Sequence, residues 1–312
     1  MGYGSYKAAD WEKLKNSRGI NNSSSAASLF NKNEFKDIYN PLYINVRESR
    51  DSEDSPNSTP IIFGFDVTGS MDYLAVEIAK NSLNKTITEL YDKKPVTDPH
   101  VMCAAFTAPR YNGDVILVGA LQVTQFEADI RVVEQLLDLN VKFGGNRYSY
   151  DDLVWYFAAN HTDIDCYNKR KKKGYIICIG DEICGADDGS FLSERDLLKI
   201  FGDNKMTGHL NNRQIYDMAA KKYEIFHIVT LMGWREGRAF NTWNHFMPGR
   251  VATIDQRDIS LLSEVITSII QLSQGANRED VIGQWPEEIR SKIRKSVEPI
   301  FPAKPVPDWE EP

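Results

Sequence analysis

Only four cysteines occur in 312 residues, at positions 103, 166, 178 and 184, and no two stand as a C-x-x-C pair. That excludes a disulfide scaffold and a zinc ribbon. Cys103 and Cys178 fall inside apolar runs of strand length, so reduced, structural thiols and a cytoplasmic location are expected. No apolar run approaches the roughly 20 residues of a membrane span. The first residues lack a basic stretch followed by an apolar core, so no secretory signal is expected. Met1-Gly2 is followed by Tyr6 where myristoylation needs Ser or Thr. Positive charge is in deficit, 37 Lys and Arg against 44 Asp and Glu, which argues against nucleic acid as a partner. No internal repeat is visible.

Catalytic signatures are missing as well. There is no H-E-x-x-H, no G-x-x-x-x-G-K-[ST] and no G-x-S-x-G elbow. None of His100, His161, His209, His227 and His245 stands beside a strand-end serine, and His227, inside an apolar strand, reads as a core residue. Asp66 followed by Thr68 lacks the second acid of the Asp-x-Asp used by aspartyl-nucleophile phosphatases. The chain is therefore expected not to be an enzyme.

What is present is one informative stretch, Ile61-Ile62-Phe63-Gly64-Phe65-Asp66-Val67-Thr68-Gly69-Ser70-Met71. An apolar strand ends in a carboxylate, hydroxyls follow two and four positions later, and a helical pattern begins. In a parallel α/β sheet the carboxyl ends of the strands open into the ligand crevice. Gly69 lets the turn aim Asp66, Thr68 and Ser70 at one point. Oxygen donors converging in this way suit a hard cation such as Mg2+.

Asp66-Val67-Thr68-Gly69-Ser70-Met71 resembles the Asp-x-Ser/Thr-Gly-Ser-Met signature of von Willebrand factor A (vWA, integrin I-like) domains, the first loop of their metal-ion-dependent adhesion site (MIDAS). The second loop of that family has a Gly-Gly-Thr or Gly-Gly-Asp-type core before a helix. Here it reads Gly144-Gly145-Asn146, with Asn146 at the threonine position and Ser149 as another oxygen source. The third loop supplies an aspartate just past a strand, and Asp181 follows Tyr175-Ile176-Ile177-Cys178-Ile179-Gly180. The resemblance, over residues 60 to 272, implies metal ligands Asp66, Thr68, Ser70, Asn146 and Asp181. It implies Mg2+ or Mn2+ with one coordination position left for a Glu or Asp of a partner protein, an ATPase or another effector. The lead-in Arg47-Glu48-Ser49-Arg50-Asp51-Ser52 resembles that of a bacterial, intracellular subgroup. A metal-dependent phosphoesterase and an assembly subunit with a structural metal loop are the alternatives.

Strands alternating with helices predict an α/β fold, a Rossmann-like, doubly wound and mostly parallel sheet. Strands are expected at 61–66, 100–107, 175–179 and 225–231. An antiparallel edge strand at 115–121 is reached through Asn112-Gly113. Helices are expected near 72–91, 127–140, 149–159, 193–201, 211–222 and 257–272, with apolar positions at helical spacing. Three segments result: a polar, partly extended arm at 1–59, the vWA-like domain at 60–273, and a helix with a Pro-rich tail at 274–312. The charged arm is read as a solvated lead-in, or as an arm that packs beside the metal loop or carries a partner contact. Lys169 to Lys173 is read as a solvated turn, or a contact for an acidic partner or phosphate. Trp234, Phe240, Trp243 and Phe246 are read as belonging to a long loop, either packed or partner-facing.

Overall fold

The computed structural model describes residues 6–21, 23–30, 35–112, 115–141, 148–204, 208–232 and 236–301. The main sheet has six strands: β1 Thr59–Asp66, β2 Pro99–Phe106, β3 Leu121–Val123, β4 Gly174–Gly180, β5 Tyr223–Leu231 and β6 Val251–Asp255. Their order is β6-β5-β4-β1-β2-β3, and only β3 runs antiparallel. The order reverses between β1 and β4, so the switch point lies at the carboxyl ends of these two neighbours.

The strands read as unbroken apolar runs because both faces are covered. Ile61, Phe63 and Phe65 face one core, Ile62 the other. The first core lies under α1 Asp72–Glu77, α2 Leu83–Lys93, α3 Arg131–Leu137 and α7 Leu262–Ser273. The second lies under α4 Asp151–Asn160, α5 Asn212–Ala219 and α6 Glu236–Phe246. Between α1 and α2 a π-helical segment, Ile78–Ser82, interrupts the α-helical pattern. The Ser263 hydroxyl donates to the Ser82 carbonyl at 3.0 Å, tying this run to α7. A capping box formed by Ser193 and Asp196 opens the expected helix, Glu194–Phe201.

Several expectations change. The expected edge strand divides: Val115–Val118 pairs antiparallel with Arg110–Asn112 in a separate two-stranded sheet, and the antiparallel edge of the main sheet is β3. β6 had no counterpart in the sequence reading. The segment read as a loop contains α6, and its aromatics are core: Trp243 and Phe246 are buried and Phe240 packs against them. Trp234 lies outside the described residues. Beyond α7, among the described residues, α8 Arg278–Gly283 and α9 Glu287–Val297 follow, and with the turn between them they bury Val281, Ile282, Trp285, Ile293 and Val297 in the first core.

The arm also packs. Ala8–Ser17 contributes Trp11 and Leu14 to the first core. Arg47–Ser49 pairs in parallel with Thr162–Ile164. Arg50 bonds Asp165 at 3.0 Å, and Asp51 accepts from Arg170 at 2.6 Å and from the Ser58 hydroxyl at 2.8 Å. These contacts gather at the amino ends of β1 and β4, so the charged segment lies away from the expected metal loop. The basic run is largely matched within the chain: Lys169 with Asp165 at 2.7 Å, Arg170 with Asp51, Lys173 with Glu224 at 3.3 Å.

Candidate functional site

β1 delivers Asp66 to the switch point. The ladder to β2 continues one bond further, Val67 N–H to Phe106 O at 3.0 Å, and fixes the direction in which the chain leaves the strand. The Thr68 amide donates to Asp66 Oδ1 at 2.9 Å, and the Thr68 hydroxyl bonds the same carboxylate. This is an Asx-type turn, in which the acid closes the loop that follows it. Gly69–Met71 then makes one 3-10 turn into α1, with Ser70 on it.

β4 delivers Asp181 beside it. Phe65 and Ile179 are register partners, so Asp66 comes level with Gly180 and Asp181 follows directly. Gly180 marks the point of convergence. A Cβ there would lie 3.6 Å from Asp66 Cβ, 3.7 Å from Ser149 Oγ and 3.8 Å from His227 Cε1. Ser149, just before α4, is held by its amide on Ile183 O at 2.9 Å.

Asp66 is fully buried, and burial raises its pKa well above the usual carboxylate range. The charges of Asp181 and, more weakly, Asp151 push the same way, while the Thr68 bonds oppose them. Asp152 is pushed up to about 7 by burial and by Asp151. The floor of the crevice thus gathers buried carboxyl groups that resist ionising together, and a bound cation would favour their ionised form.

The structure therefore brings Asp66, Thr68, Asp181 and Ser149 together. Asn146, with Gly144 and Gly145, lies outside the described residues. Among the described residues no group of three or more His, Cys, Asp or Glu side chains is arranged to hold a metal ion. The donors that do gather are two carboxylates and hydroxyls, an oxygen set that fits Mg2+ or Mn2+ rather than a softer metal.

Sequence reasoning missed the layer behind these residues. Asp151 Oδ1 accepts from the Ser149 hydroxyl at 2.5 Å, and Oδ2 pairs with His227 Nδ1 at 2.7 Å. His227 is fully buried as expected, stacked on Trp243 at 3.8 Å between ring centroids. Trp243 Nε1 donates to Glu182 O at 3.0 Å, and the Thr242 hydroxyl accepts from the Cys184 amide at 3.0 Å. α6 thus holds the loop that carries Asp181. The shared parity of His227 with Ile225 and Val229 put it on the α4 face. Only the β4–β5 pairing brings it to Asp151. A cavity of about 890 Å³, lined in part by Lys94, Lys172 and Gln274, opens at the opposite end of the sheet. It is remote from these acids.

No protein-family model matches the sequence. No curated protein matches it either. Solved structures do resemble it in fold. One is a von Willebrand factor type A protein from Catenulispora acidiphila, 13% identical, with a TM-score of 0.38 over 70% of this chain and 43% of that one. Two are forms of the pilus adhesin SpaC from Lactobacillus rhamnosus GG. The open conformation is 9% identical, with a TM-score of 0.42 over 72% of this chain and 31% of that one. The other form is 11% identical, with a TM-score of 0.42 over 72% and 32%. The chain spans less than half the length of each. The superpositions are loose, and the fold assignment rests on the strand order and the β1–β4 switch point. No helix among the described residues is long and apolar enough to cross a membrane.

Proposed function

We propose that this chain is a protein–protein interaction module of MIDAS type that grips an acidic residue of its partner through a divalent cation. The observation that carries the reading is the pairing of Asp66 with Asp181 at the switch point, where the charge of Asp181 adds to burial in raising the Asp66 pKa. Asp66, Thr68 and Asp181 would hold Mg2+ or Mn2+, with Ser70 by its place in the motif and an oxygen from the second loop, Asn146 or Ser149. The ion, when bound, supplies a Lewis-acidic seat for a Glu or Asp carboxylate. The residues contribute the rest: Asp66 is pre-aimed by its two Thr68 bonds, and burial withholds competing water. The partner we infer is an ATPase or another cytoplasmic effector. Four free, buried cysteines fit a reducing compartment.

A non-enzymatic role is favoured by the way the site's polar groups are committed. Ser149 gives its proton to Asp151 and not to the His227 imidazole, so the direct Ser–His pair of a nucleophile triad is not formed. The test is Mn2+ binding by calorimetry, with Mg2+-dependent retention of a partner on the immobilised chain. Both are expected in the wild type and lost in Asp66→Ala. Phosphoester hydrolysis that needs the metal and Asp66 would move the reading to a phosphoesterase. Metal binding that shields Asp66 but retains no acidic partner would make the loop structural.

A further inference from the structure

We propose that Ser149 is the oxygen that the second loop gives to the ion, and that Asp151 and His227 are the positioning pair that aims it. The proposal rests on the reading of the crevice as a divalent-cation site and says which residue completes it.

A hydroxyl has one proton to donate and lone pairs to offer. A hydroxyl that ligates a cation must turn a lone pair toward it and send its proton elsewhere. Ser149 is 1% exposed and gives its proton to Asp151 Oδ1 at 2.5 Å. Its remaining lone pairs are then free to face the crevice, where Oγ lies 3.7 Å from the Gly180 point that Asp66 Cβ approaches to 3.6 Å.

Asp151 is itself fixed. Its second oxygen meets His227 Nδ1 at 2.7 Å, and the Cys178 thiol bonds the same carboxylate. With both oxygens engaged and 1% exposure, Asp151 is anchored behind the site as a support and not as a ligand. His227 is kept in plane by Trp243, stacked at 3.8 Å and 13°. Trp243 in turn bonds Glu182 O, next to Asp181. The Ser149 amide closes the circuit on Ile183 O. Ser149 and the loop that carries Asp181 are therefore held as one unit. An outer layer that orients a ligand in this way is typical of metal centres, and its loss weakens metal binding about 10- to 100-fold.

The test uses the full chain and Mn2+ alone, with binding read by electron paramagnetic resonance and folding by circular dichroism. Ser149→Ala and Asp151→Asn should each weaken Mn2+ binding about 10-fold or more, whereas Ser149→Thr should match the wild type. Asp151→Asn should cost nothing further in the Ser149→Ala background, a non-additivity that a merely structural role would not produce. Ser149→Cys should shift preference toward Cd2+, with a thiolate charge-transfer band in the ultraviolet. This variant keeps the proposal falsifiable if Ser149→Ala does not fold. Wild-type affinity in folded Ser149→Ala, or Ser149→Cys with no Cd2+ band, would overturn it. Mn2+ binding that depends on Asp66 and Asn146 but not on Ser149 would do the same. If the wild type bound no Mn2+, the underlying reading would fall instead.

Discussion

His100 shows how one buried group can set a stability profile away from the crevice. It stands at the start of β2, 1% exposed, with Nδ1 at 3.1 Å from the Ser49 hydroxyl. Burial lowers its pKa from 6.5 to about 4. The folded state therefore prefers the neutral ring. The stability this gives is complete above pH 6.5, where the unfolded ring is also neutral, and is lost as pH falls toward 4. The shift corresponds to about 3 kcal/mol. His100→Gln should flatten the dependence of denaturant midpoint on pH between 6.5 and 4, and an unchanged slope would contradict the assignment. At this same scale the turn that leaves β1 was legible, because Asp66, Thr68 and Gly69 lie within four residues and their chemistry is local. The Asp151–His227 pair was not, because 76 residues separate its members and only sheet order joins them.

At the scale of elements, the long buried strands were read correctly and the short edge strands were not. β1, β2, β4 and β5 are seven to nine residues long and almost wholly buried, so composition alone marks them. β3 has three residues and β6 five, too few for a pattern to emerge. α6 was hidden by Gly237 near its start, although Ala239, Trp243 and Phe246 recur at spacings of four and three. That stripe is the signal that should have identified a helix. Its consequence is measurable. Trp243 fills space between His227 and Trp155 and bonds Glu182 O. Trp243→Ala should cost about 3–5 kcal/mol of unfolding free energy, read by chemical denaturation. A loss below about 1 kcal/mol would show that α6 does not lean on the sheet as described.

On the scale of the whole molecule, the two ends of the sheet have opposite characters. The carboxyl end collects Asp66, Asp151, Asp152 and Asp181. At the amino end, Arg50, Arg170 and Lys173 are matched by Asp165, Asp51 and Glu224. The arm and the last helices wrap the same core as the sheet, with Trp11 and Trp285 both buried in it. Their polar composition disguised that role, since the apolar anchors are few and widely spaced. A balanced end needs no ligand, whereas buried acids that resist ionising together are relieved by a counter-charge. The most direct measurement is the anomalous difference map of crystals grown with Mn2+. The account predicts one strong peak shared by the Asp66 and Asp181 carboxylates. A map with no peak there, or with the two aspartates engaged by different groups, would contradict it.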